Sequence, residues 1–192
     1  MGTTLNLQTG ASNADGQVNA AAFDNSSTTI VLGRLAGGGA YTLFALFDPV
    51  NVPNGATIDS AYLSLYSVSI YTNTLLQKVA ANAADDTAPP ADAATVNGYA
   101  RTTAKVDWDF ANWSANTWYQ SGDIKTVIQE IVNRGGWASG QALMILLDDD
   151  GTANNNLRAA RSWDQAGNVL GPKLDITYSI PAARVWSAPI FF

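Results

Sequence analysis

Residues 148–150 are three consecutive aspartates followed by Gly151, in the stretch LLDDDGTANNN (146–156). Three carboxylates, with asparagine carbonyls close behind, are the hard oxygen ligands that Ca2+ takes six to eight at a time. Asp148, Asp149 and Asp150 are therefore the candidate metal ligands, and Ca2+ is the candidate ion. The EF-hand register does not fit: with Gly151 sixth, the first position falls on Leu146 and the twelfth on Leu157, and neither is a ligand. The alternative is a polar turn closing a buried strand, since Asp and Asn tolerate left-handed backbone.

Other chemistries are narrowed by what the chain lacks. It contains no cysteine and no histidine. That removes disulfides, thiolate nucleophiles, the Ser-His-Asp triad and imidazole metal ligands. Carboxylate, hydroxyl, Lys and Tyr chemistry remain. A glycoside hydrolase needs two acids about 5–9 Å apart across a cleft. Asp107 and Asp109 could share one strand face, with Asp148–Asp150 nearby, but the spacing alone does not bring them together, and no enzymatic activity is expected.

A second constellation is aromatic. WDFANWSANTWYQ (108–120) gathers Trp108, Phe110, Trp113, Trp118 and Tyr119. Flat indole and phenol faces stack on sugar rings, so Trp108, Trp113, Trp118 and Tyr119 are candidate glycan contacts, Trp113 being the one expected to be most exposed. The competing reading packs the same rings into the core or a subunit interface. The net charge is −6, and the ten Lys and Arg residues are scattered, so a nucleic-acid partner is not expected. No apolar run is long enough to cross a bilayer. The first residues, MGTTLNLQTG, do not resemble a secretion signal, which leads to the expectation of a protein made in a cytoplasm.

The elements that position these residues read as β. Fifteen of the sixteen acids are Asp and only Glu130 is Glu, a bias toward turns over helices. Strands are expected over 3–8, 28–35, 41–47, within 57–71, and over 75–83, 98–108, 142–148, 156–163 and 172–179. AGGGA suits a hairpin link between 28–35 and 41–47, and Asn54-Gly55 marks a turn. One helix is expected, at about 123–134: Ile124, Val127, Ile128 and Ile131 fall on one face, Asp123 is a candidate N-cap, and Gly135 a candidate left-handed C-cap. Lys125 and Gln129 are placed on its solvent side. Residues 81–98, rich in Ala, Asp and Pro, read as a long surface loop. The expected fold is all-β: a jelly-roll-like, two-sheet antiparallel β-sandwich with one short α-helix, spanning residues 1–179.

Several segments share a known pattern. Phe47-Asp48, then Pro53-Asn54-Gly55-Ala56-Thr57-Ile58, then Ser60-Ala61-Tyr62-Leu63-Ser64-Leu65-Tyr66 resembles the bacterial sandwich modules of the DNRLRE type, which are related to carbohydrate-binding modules. The helix, the strand QALMILLD and GPKLDITYS (171–179) follow in the same order. Those modules carry an Arg shortly before the final Phe of the first strand. Here Ala45 and Leu46 stand there. The stretch DIKTVIQEIVNRGGWASGQAL (123–143) is also similar to small virion proteins of tailed phages built on this sandwich. The resemblance implies a non-enzymatic virion structural protein (capsid decoration, head-fibre or tail-associated) that docks on a repeated assembly, with loops free to touch host glycans. The alternative is a carbohydrate-binding or adhesin module of a bacterial protein. The implied partners are other virion proteins or further copies of itself.

Residues 180–192, IPAARVWSAPIFF, follow the last expected strand. Val185, Trp186, Ile190, Phe191 and Phe192 are the candidate assembly-interface residues of an apolar C-terminal arm, the alternative being a tail folded back on its own domain.

Overall fold

A computed structural model describes residues 2–165 and 168–180. The candidate interface residues of the arm, Val185 through Phe192, lie outside the described residues.

The strands are β1 (Thr3–Gln8), β2 (Asp15–Asn19), β3 (Ala22–Asp24), β4 (Thr29–Arg34), β5 (Ala40–Val50), β6 (Thr57–Tyr66), β7 (Gln77–Ala81), β8 (Val106–Asp107), β9 (Trp118–Gln120), β10 (Gln141–Asp149), β11 (Asn156–Arg161) and β12 (Lys173–Ser179). They form two antiparallel sheets, as an all-β sandwich requires. The smaller has the order β1-β12-β6-β9. The larger runs β11-β4-β5-β10-β7-β8, with β2 also pairing β5 and β3 pairing β2. The first and last of these strands are neighbours, Thr3 facing Tyr178 and Gln8 facing Lys173.

Burial explains why some strands alternate and others do not. In β6, Ala61, Leu63 and Leu65 are buried between the sheets while Tyr62 and Tyr66 point the other way. A bulge against Thr177 and Tyr178 shifts the register, which lets Ile58 also face inward. In β5, by contrast, residues 43–47 are all buried. Leu43, Ala45 and Phe47 line the space between the sheets, and Phe44 and Leu46 enter a second apolar cluster on the outside of the large sheet with Val18, Met144, Leu146 and Val96. A sheet covered on both faces reads as a continuous apolar run, and this accounts for YTLFALF and ALMILL.

The cover over that second cluster corrects two expectations. Residues 81–98 are more than a surface loop, because they contain a helix, α1 (Ala93–Gly98). Asp92 caps it, accepting from Thr95 N at 2.8 Å, and Val96 is buried beneath it. Among the described residues there are therefore two α-helices and not one.

The expected helix is present as α2 (Lys125–Val132), with Ile124, Val127, Ile128 and Ile131 buried as the spacing indicates. It is shorter than 123–134 because its ends are held by tertiary contacts. Asp123 precedes the Ile124 cap position, and its Oδ1 accepts from Lys125 N and from Ala61 N of β6, both at 3.0 Å. At the other end Asn133 closes the helix in right-handed backbone, φ −82°, so Gly135 is not a left-handed cap. Gln129 does not face solvent: its side chain accepts from Ile58 N at 2.8 Å and donates to Ala56 O at 2.9 Å, tying α2 to β6. Asn54-Gly55 forms the expected turn, with Gly55 at φ +74°.

Candidate binding face and the aspartate cluster

Asp148 and Asp149 end β10, where the pleat sends successive side chains to opposite faces. Asp148 receives Arg101 in a two-pronged contact, Nε at 3.1 Å and Nη2 at 3.0 Å, and Thr42 Oγ1 at 2.9 Å. Asp149 receives Arg34 Nη2 at 2.5 Å together with the backbone N–H groups of Gly151 and Thr152. Burial alone would push the Asp149 carboxyl up. The bonds from Arg34, Thr152 and Gly151, with the Arg34 charge, outweigh it and hold the pKa below the ordinary carboxylate value. Asp150 pairs with Lys78 at 2.9 Å. The three acids thus face three different cations, and among the described residues no three acidic side chains converge on a metal-sized site.

Asp107 and Asp150 do come together, on the single ammonium of Lys78, at 3.6 and 2.9 Å. Asp109 is engaged elsewhere, accepting from Gln77 N at 3.3 Å. Three surface hollows, beside Leu46, Ala93 and Phe23, are lined by one carboxylate each, Asp48, Asp92 and Asp24.

The aromatic cluster divides in two. Residues 108–117 cross from β8 of the large sheet to β9 of the small one, so their rings plug the gap between the sheets. Trp108 meets Phe110 edge-on at 4.6 Å, Phe110 lies 4.8 Å from Trp113, and Trp113 stacks on Tyr119 at 5.0 Å and 10°. Trp113 is 1% exposed, which overturns its placing as the most exposed ring, and Trp108 is buried too. Neither offers a face to a glycan. Tyr119 is half-buried against this stack and gives its hydroxyl to the turn, accepting from Ser114 N at 2.6 Å.

Trp118 goes the other way. It stands opposite Tyr66 across the β6–β9 pair, so both occupy the outer face of the small sheet. Their rings meet edge-on at 5.2 Å, and Lys173 Nζ lies 4.1 Å over the indole. The register carries this face outward strand by strand. Lys173 is beside Ser64 and Gln8, Asp175 beside Tyr62 and Asn6, and Ser64 beside Gln120. Asn6 Nδ2 donates to Asp175 Oδ1 at 2.7 Å. The result is a face that no other described element covers, with three half-buried aromatic rings around the buried Ser64, flanked by amides, one cation and one anion. It can stack against a flat ligand and bond to its hydroxyl groups. Tyr62, Tyr66 and Lys173 were missed as site residues by sequence reasoning. The strict alternation of Tyr62, Ser64 and Tyr66 with the buried Ala61, Leu63 and Leu65 was the signal that marks them.

One buried acid stands apart. Asp15, 1% exposed, accepts from Thr9 Oγ1 at 2.8 Å and from Trp163 N at 2.9 Å, both on Oδ2. Among the described residues its Oδ1 has no partner, and Ala45, directly across the ladder, brings none. Burial pushes its pKa up to about 6. The bonds from Thr9 and Trp163 pull it down, and the nearby Asp164 adds to the rise.

Comparison with protein-family models and with curated proteins returns no match.

Proposed function

We propose that this protein is a non-enzymatic docking and recognition module, a structural component of a tailed-phage virion, in which the outer face of the small sheet contacts a glycan. The observation that carries the recognition role is the grouping of Tyr62, Tyr66 and Trp118 on one sheet face that no other described element covers, among Asn6, Gln8 and Gln120. Burying the apolar ring faces against a sugar gives affinity, and the flanking amides and hydroxyls read its hydroxyl positions. The virion assignment is supported by the resemblance of residues 41–67 and 123–143 to sandwich proteins of phage particles. The non-enzymatic reading is supported by the Asp148–Asp150 cluster, whose acids are each held by a cation.

The recognition role is tested by glycan-array binding of the wild-type chain and of Trp118→Ala and Tyr66→Ala. Both variants are expected to lose binding at least about tenfold, the scale of one lost ring contact, while melting within a few degrees of wild type. Wild-type binding left intact by both variants removes the assignment of this face. The virion role is tested by mass spectrometry of purified particles, where a structural component appears at a fixed copy number per particle. The second reading, a bacterial carbohydrate-binding or adhesin module, rests on the same face. It is favoured if the chain binds glycans but is missing from particles.

A further inference from the structure

We propose that the protein pairs with a second copy of itself through β1, the two strands running antiparallel about a two-fold axis normal to the small sheet. β1 bonds to β12 on one side, and no described residue pairs with its other side. An unpaired edge presents a row of N–H and C=O groups, and natural sheets protect such edges with charge, Pro, bulges or short length.

The other edges of this fold carry that protection. β9 is three residues long and β8 two. β11 carries Arg158 and Arg161 and is bridged by Ser67, and β3 is three residues ending in Asp24. β1, TTLNLQ, is six residues long, unbroken in register, and has no charge and no Pro.

A second copy fits this edge because the strand complements itself. With Leu5 or Asn6 on the two-fold axis, Leu5 and Leu7 of both copies lie on the core side, and Thr4, Asn6 and Gln8 on the outer side. The two small sheets then join into one. A six-residue pairing falls short of the ~1,200 Å² of a standard stable interface, so the dimer is weak and concentration-dependent.

The inference stands apart from glycan binding, and its test does not use a glycan. Sedimentation of the full chain is expected to show a monomer at low micromolar concentration and a dimer at about 0.2 mM. Thr4→Lys sets like charges across the joint and is expected to weaken dimerisation at least about tenfold with the melt unchanged. Because the chain has no cysteine, Asn6→Cys reports contact directly. Mild oxidation is expected to give a reducible dimer from Asn6→Cys and none from Gln120→Cys on the opposite edge. A chain that stays monomeric at the higher concentration overturns the proposal. So does a dimer indifferent to Thr4→Lys, or an open polymer that crosslinks through Gln120→Cys.

Discussion

Asp15 shows how one residue can set the pH response of the whole molecule. Its folded pKa, about 6, lies above the ordinary carboxylate value of 3.8. A raised folded pKa means that protonation favours the native state. The stabilisation is complete below about pH 4 and is lost as the pH rises through 6. Two units correspond to about 3 kcal/mol, so urea melts are expected to show falling stability from pH 4.5 to 7.5. Asp15→Asn should remove most of that slope and exceed wild type at pH 7.5. A wild-type slope of opposite sign rules this account of Asp15 out. The Asp149–Arg34 pair behaves conversely, since the Asp149 pKa is depressed and its stabilisation is lost on acidification through the folded value. Asp149 is 4% exposed at the side chain, so Asp149→Ala strands Arg34 and two backbone donors. It is expected to cost about 2–4 kcal/mol in chemical denaturation. Because its acids are held by Arg101, Arg34 and Lys78, the cluster should melt at the same temperature with added Ca2+ as with chelator.

At the level of elements, α2 is held to β6 by a polar bridge as well as by its apolar face. Gln129→Ala leaves Ile58 N and Ala56 O without their partner and is expected to lower stability by about 1–3 kcal/mol, while Lys125→Ala changes it by less than about 0.5. The helix was legible because four apolar residues at i, i+3, i+4 and i+7 admit little else. Its polar face was not, since whether Gln129 meets water or a strand end depends on where β6 arrives. The short strands β2, β3 and β9 and the helix α1 were missed for a related reason. Each exists through a partner distant in sequence, as Gly16 does opposite Phe44, and local propensity gives little sign of it. Trp113 is the clearest case. Its loop composition suggests exposure, but the loop spans from one sheet to the other, and crossing buries the ring. Trp113→Ala is expected to cost about 3–5 kcal/mol, the range for deleting a buried aromatic, whereas Trp118→Ala should cost far less.

For the molecule as a whole, the two-sheet sandwich followed from alternating strands and turn chemistry, and it holds. The proposed binding face was less visible, because it is assembled from one outward residue in every two on β1, β12, β6 and β9. No single stretch of sequence carries it. Only the register brings Trp118 to Tyr66 and Lys173 to Gln8. Joining two small sheets through β1 would set two such faces side by side, so a glycan displayed in many copies should be held more tightly than the same glycan alone.

The most direct test of the recognition face is a titration calorimetry series on the best array ligand, with wild type, Trp118→Ala and Trp113→Phe. Trp118→Ala is expected to abolish measurable binding in a fully folded chain, and Trp113→Phe, which alters only the buried stack, to bind as wild type does. Binding that survives Trp118→Ala and fails in Trp113→Phe would contradict it and move the site to the crossing loop.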